Sequence, residues 1–280
     1  MTAVTIGKFD GFHLGHRILL AELQELSKEQ KEEMPTCVCK IDFPGPGLLS
    51  RDEQKKVLDE YGIYRMRRLA FSEYFASQTP EEFVRRVLVS ELGASHIVVG
   101  SDFRFGYNRC GTVDTLRSLG EKYGFRVVAV DKLKMGGEIV SSSRIRNLLS
   151  EGQVDQVAEL LGQPVTYQGN VCHGKELGRT IGFPTCNLRP DPEKLLPLFG
   201  VYRSVVTTPE GVYDGVTNIG RKPTVEEDGA PTIETYILGF SGDLYGEEIK
   251  VTLKSFIRAE KKFASVEELV AQMKIDADFT

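Results

Sequence analysis

From Val4 to Leu161 short apolar runs alternate with stretches of helical periodicity, and from Pro164 onward that alternation stops. A chain that switches repeatedly between strand and helix periods folds into a parallel sheet covered by helices, because parallel neighbours need a helical crossover. The strand candidates are Val4–Gly7, Thr36–Phe43, Tyr64–Phe71, Ser95–Gly100 and Phe125–Val130. The best-marked helix opens at Thr79-Pro80-Glu81-Glu82, a capping box with proline in the first turn, and Phe83, Val84, Val87 and Leu88 supply its buried face. Arg65, Arg67 and Arg68 interrupt the third strand candidate, where a central parallel strand would be apolar. Beyond Pro164, β-rich runs at Val201–Thr207, Ile233–Phe240 and Ile249–Leu253 are separated by Gly, Pro, Asn and Asp turns and followed by a helical pattern at Val266–Ile275. This grammar predicts an α/β domain over 1–163 and a β-barrel with a terminal helix over 164–280.

A length of 280 residues suits two domains, and 41% hydrophobic with 27% charged residues suits a globular protein. The net charge of -5 argues against nucleic acid as the main partner. No leader-like segment and no apolar run of membrane length is visible, so a cytoplasmic protein without a membrane partner is expected. The five cysteines are odd in number and lack metal-ligand spacing, which predicts reduced thiols. The sequence carries no signal for oligomeric state.

Chemistry concentrates in a few segments. Gly7-Lys8-Phe9-Asp10-Gly11-Phe12-His13-Leu14-Gly15-His16 lies between the first strand and a helical stretch from Ile18. Glycines let backbone approach an anion, a helix start offers unpaired N–H groups, and His13 and His16 add side-chain donors. A histidine in such a place also often serves only as a helix cap. Gly100-Ser101-Asp102-Phe103-Arg104-Phe105-Gly106 follows a strand, at the sheet edge where open α/β folds bind ligands. Ser141-Ser142-Ser143-Arg144-Ile145-Arg146 leads three serines and two arginines into a helix, where a lone serine would serve only as an N-cap.

These segments resemble the G-x-F-D-G-x-H-x-G-H, G-x-D-F-x-F-G and I-S-S-T-x-I-R elements of FMN adenylyltransferases, a branch of the Rossmann-like nucleotidyltransferases. The resemblance implies that His13 and His16 act on ATP phosphates during adenylyl transfer. It implies that Gly7, Phe9, Asp10, Gly11, Gly15, Ser141, Ser142, Ser143 and Arg146 line the ATP site, and that Asp102, Phe103 and Phe105 shape a flavin pocket. Pro44-Gly45-Pro46 stands where the family commonly has Pro-His-Pro, and Arg17 replaces the usual glutamine.

In the second half, GNVCHGKELGRTIGFPTCNL from Gly169 is similar to the riboflavin kinase signature. Gly174, Gly178 and Gly182 would form a backbone nest for ATP phosphates. Thr185 and Asn187 would help hold Mg2+, whose preference is for oxygen donors. The segment Thr232–Leu238 resembles the strand carrying the catalytic base, here Glu234, and the closing Phe256–Phe263 run would add Arg258 and Phe263 to a flavin pocket. Tyr236 occupies a position often held by histidine.

Together the motifs imply the bacterial bifunctional riboflavin kinase and FAD synthetase family. The expected activity converts riboflavin and ATP to FMN, then FMN and ATP to FAD and pyrophosphate, with Mg2+ as cofactor and small molecules as partners. Two alternatives stay open from the sequence: a riboflavin kinase with a weak or inactive adenylyltransferase domain, and a non-catalytic flavin-binding regulatory protein.

Overall fold

The computed structural model describes residues 1–29, 34–172, 185–221 and 230–278. Its backbone packing separates into two units, Met1–Ser142 and Ser143–Thr280.

In the first unit, β1 (Thr2–Gly7), β2 (Thr36–Asp42), β3 (Met66–Ala70), β4 (Ala94–Gly100) and β5 (Arg126–Val130) form a parallel sheet in the order β3-β2-β1-β4-β5. Strand order reverses at β1, so the segment leaving β1 lies at the topological switch point, where such sheets bind ligands. One face of the sheet carries Val4, Ile6, Cys37, Cys39, Leu69, Ile97 and Val99, which pack with Val84, Val87, Leu88 and Leu116 in one core. All five cysteines are free, and burial pushes the Cys39 thiol up to about 12.

The helices of this unit are α1 (Leu14–Lys28), α2 (Arg51–Glu60), α3 (Glu73–Ala76), α4 (Pro80–Phe83) and α5 (Val113–Tyr123). The predicted capping box is present at α4: Thr79 Oγ1 accepts the Glu82 N–H, and the Glu82 carboxylate accepts the Thr79 N–H. Beyond Phe83 the helix widens into a π-helical stretch, Val84–Glu91, in which the Leu92 N–H donates to the Val87 carbonyl at 3.0 Å. The arginines of β3 are tolerated because β3 is an edge strand. Arg67 pairs with Glu91, while Arg68 donates to Asp42 and Gln54. A two-stranded ribbon, β6 (Lys134–Met135) and β7 (Glu138–Ile139), precedes α6 (Ser142–Ser150).

In the second unit, α7 (Val154–Leu161) ends on Gly162 in a left-handed cap. Six antiparallel strands follow: β8 (Thr166–Asn170), β9 (Thr185–Leu188), β10 (Gly200–Thr208), β11 (Gly211–Arg221), β12 (Pro231–Ile237) and β13 (Glu248–Ala259). Their order is β8-β13-β10-β11-β12-β9, and the sheet curls until its two ends approach at the bridge Cys172–Asn187. Inside it Ser204, Thr217 and Thr235 are fully buried, and their hydroxyls bond in a chain at 2.8 and 2.9 Å, so each satisfies the next. The predicted terminal helix is α8 (Val266–Asp278). Among the described residues no helix is long and apolar enough to cross a membrane.

Candidate active sites

The turn after β1 is held by aromatic packing in an unusual backbone. Phe9 and Phe12 have φ of 44° and 40°, and both side chains are fully buried with rings stacked at 5.4 Å. A left-handed phenylalanine costs roughly 1–3 kcal/mol, so burial of the two rings must over-determine the turn. Gly11, at φ 86°, takes the third left-handed position. Helix α1 starts at Leu14, earlier than the pattern from Ile18 suggested, which places Gly15 and His16 in its first turn.

His13 is the N-cap of α1, and its Nδ1 accepts the His16 N–H at 3.3 Å. An accepting Nδ1 leaves the proton of a neutral imidazole on Nε2. Gly15 eases this fold-back, since a Cβ there would lie 3.2 Å from two atoms of the His13 ring, tighter than ordinary packing. The two imidazoles stack at 3.7 Å, nearly parallel. Burial lowers His13 to about 4 against a partial offset from Asp10, and burial, His13 and Lys40 together hold His16 well below its ordinary range. Both histidines are therefore neutral at pH 7 and offer N–H dipoles rather than charge. Nδ1 of His16 is buried without a hydrogen-bond partner among the described residues.

Asp10 ties the turn to its surroundings. Its carboxylate accepts the Leu48 N–H at 3.0 Å, and its carbonyl accepts the Ser142 hydroxyl at 2.8 Å. Arg17 donates from Nε to the Phe12 carbonyl and from Nη1 to Glu60. The structure thus brings Gly7, Phe9, Asp10, Gly11, His13, Gly15, His16 and Ser142 together at the switch point, with Ser141 directly before Ser142. Ser143 and Arg146 continue along α6 in the second unit, exposed and half-buried respectively.

Asp102, exposed, pairs with Lys132, and Phe103 stacks on Phe105 at 5.4 Å. Those rings end a longer aromatic run, Phe43–Phe71–Phe75–Phe83–Phe105–Phe103. Phe43 and Phe71 are 41% and 42% exposed, stack at 4.4 Å, and directly follow β2 and β3. The motif reading singled out neither, although both sit at the carboxyl ends of parallel strands, the edge where open α/β sheets bind ligands.

In the second unit, antiparallel register builds the other cluster. Glu234 lies opposite Asn187 on one side and Asn218 on the other, while Tyr236 lies opposite Thr185. Directly opposed residues share a face, so Thr185, Asn187, Asn218, Glu234 and Tyr236 project from the same side, with opposed Cβ atoms about 5 Å apart. Asn187 is buried, and its carbonyl accepts the Cys172 N–H at 2.9 Å. The same cross-strand row continues through Val201 to Arg258. The Arg258 guanidinium forms a forked pair with buried Asp276 of α8, at 3.0 and 2.7 Å, and lies over the Phe263 ring. Gly174, Gly178 and Gly182 lie outside the described residues.

The chain thus combines a parallel sheet with a histidine-bearing turn at its switch point and an antiparallel sheet with a carboxylate opposite two asparagines, the two parts of an ATP-using transferase. The family model described as FAD synthetase matches residues 1–144, and the one described as riboflavin kinase matches residues 161–280. Relatives named bifunctional riboflavin kinase/FMN adenylyltransferase include those of Pseudomonas fluorescens (37% identical, covering 97% of this chain and 89% of that one) and Escherichia coli (38%, 98% and 90%). The Listeria monocytogenes relative is 33% identical over 99% of this chain and 90% of its own. The chain belongs to the bifunctional riboflavin kinase/FMN adenylyltransferase family. A solved structure titled as a macrolide-efflux protein from Streptococcus pneumoniae has the same fold, with a TM-score of 0.87 and 31% identity over 100% of this chain and 93% of that one.

Proposed function

We propose that this chain makes FAD from riboflavin in two ATP-dependent steps, with the residues above in the following roles. Kinase chemistry belongs to 164–280 and adenylylation to 1–163, a division supported by family matches that end at residue 144 and resume at residue 161.

The observation that carries the kinase assignment is the register of Glu234 against Asn187, with Thr185 two residues along the same face. Glu234 takes the proton of the riboflavin 5′-hydroxyl as its oxygen attacks the γ-phosphorus; the new O–P bond forms and the β,γ-bridging bond breaks, releasing ADP. Thr185 and Asn187 present only oxygen and amide donors, a fit for Mg2+ bound mainly through phosphates and water. Among the described residues no group of three His, Cys, Asp or Glu forms a protein cage for a metal. When bound, Mg2+ would neutralise phosphate charge at this face.

In the adenylyl-transfer site, an FMN phosphate oxygen attacks the α-phosphorus of ATP and pyrophosphate leaves. The groups this unit supplies are the Nε2–H of His13, the His16 imidazole and the serines at 141 and 142, donors that hold and stabilise charge without a covalent intermediate. The exposed Phe43 and Phe71 rings, with Phe103, offer a stacking surface for an isoalloxazine.

Purified protein incubated with riboflavin, ATP and Mg2+, then resolved by chromatography, should yield both FMN and FAD. FMN alone would support the kinase-only alternative, and neither product would support a flavin-binding protein. Glu234→Gln should abolish FMN formation yet still convert supplied FMN to FAD. His16→Ala should do the reverse. Loss of both activities in either folded variant would refute the separation of roles.

A further inference from the structure

One buried charge has no part in the roles assigned above. Lys40, on β2, is 8% exposed, and its Nζ donates to Asp42 Oδ1 at 2.7 Å. Asp42 also accepts from Arg68 of β3 at 3.1 Å, and Arg68 donates to Gln54 of α2, itself buried. A lysine almost never occupies such a place unless paired, and here two cations share one carboxylate. The register sets Gly7, Lys40 and Arg68 side by side across β1, β2 and β3, on one face at the carboxyl edge where the phosphate-type turn begins. The network therefore carries one net positive charge fixed beside that turn.

The histidine pair brings no charge of its own to the turn. His13 is buried, His16 is half-buried with its Nδ1 enclosed, and the two rings stack; both are neutral, so they contribute dipoles only. Charged groups of this unit tied to the turn and its flanking strands include Lys8 and Asp10 on the turn, Arg17 on α1 with its partner Glu60 on α2, Lys40 and Asp42 on β2, and Arg68 on β3. Arg17 is spent on Glu60 and the Phe12 carbonyl, and Lys8 lies over the exposed Phe43 ring. Of the charged groups, Lys40 is the one whose field weighs on His16.

We propose that Lys40 is a positioning residue for adenylyl transfer: anchored by Asp42 beside Gly7, it supplies a fixed positive field that the neutral histidine pair does not provide. A buried charge is screened little, so it stabilises negative charge that builds on the transferring group without reorganising at the moment of reaction. The proposal rests on the assignment of this turn to adenylyl transfer.

The test uses the full-length protein. Lys40→Met keeps the side chain's length and leaves Asp42 bonded to Arg68; Lys40→Arg keeps the charge. Lys40→Met should lower kcat for FMN-to-FAD conversion by roughly ten- to hundredfold with riboflavin phosphorylation unchanged. Its His16 resonances, followed by NMR against pH, should titrate at higher pH than in the parent. Lys40→Arg should restore most of the rate and the parent titration. A Lys40→Met rate within about twofold of the parent, or an equal loss in both variants, overturns the proposal. His16→Ala separates the two levels: retained FAD formation in that variant refutes the site assignment, whereas its loss alongside an unimpaired Lys40→Met refutes the role of Lys40 alone.

Discussion

His13 illustrates how one residue can serve structure and chemistry through different atoms. Nδ1 caps α1, as the capping reading of the motif expected, and this leaves Nε2–H available for the ligand role proposed above. The arrangement has a consequence for stability. The folded protein binds a proton at His13 only near pH 4, whereas the unfolded chain does so near 6.5. Between those values the unfolded state holds more protons, so stability is fully present above the window, falls as pH drops through it, and levels off below. His13→Asn preserves a capping acceptor and removes the titration. Calorimetric Tm values should therefore depend less steeply on pH in this variant over that range; an unchanged slope would show that His13 is not the titrating group. Motif reading found His13 and His16 because glycine spacing and chain position are written in the residues. It could not find their neutrality, which comes from stacked rings and burial, nor Lys40, an ordinary lysine in the sequence whose meaning depends on Gly7 lying next to it.

At the scale of elements, the strands and helices followed their local signals closely. The capping box at Thr79, the five parallel strands and the glycine ending α7 all stand where turn chemistry and periodicity put them. The π-helical widening after Phe83 and the edge position of β3 did not follow, since a hydrophobic stripe fits either helix width and strand order is settled by packing. Helix α8 is held by more than its weak apolar face: the Arg258–Asp276 pair, with Gln272 donating to Asp276, pins it to β13. Asp276→Ala should destabilise the folded chain by about 3 kcal/mol in urea unfolding, because Arg258 loses a buried partner. Amide exchange in α8 should accelerate selectively. The double variant with Arg258→Ala should cost less than the sum of the two singles, and strict additivity would show that the pair is not coupled.

At the scale of the whole molecule, residues 143–163 are the informative stretch. Leu149, Val157, Leu160 and Leu161 are buried there, and the Leu198 N–H donates to the Leu149 carbonyl at 3.0 Å. Gly152, at φ 79°, lets Phe256 and Tyr202 approach closely. A fragment spanning 143–280 should thus melt at higher temperature than one spanning 164–280, while both form FMN and neither forms FAD. Equal melting temperatures would show that α6 and α7 add nothing to the antiparallel unit, and FAD from either fragment would refute the division of activities. The sequence by itself determined two folding grammars, the five parallel strands of the first and three of the six antiparallel strands of the second, and the motifs that point to ATP and flavin, because these depend on neighbours along the chain. Only the tertiary structure decided which strands became neighbours. That choice set Glu234 against Asn187, lined up Phe43 with Phe71, silenced the charge of two histidines and placed Lys40 beside Gly7, since register and burial exist only once distant segments meet.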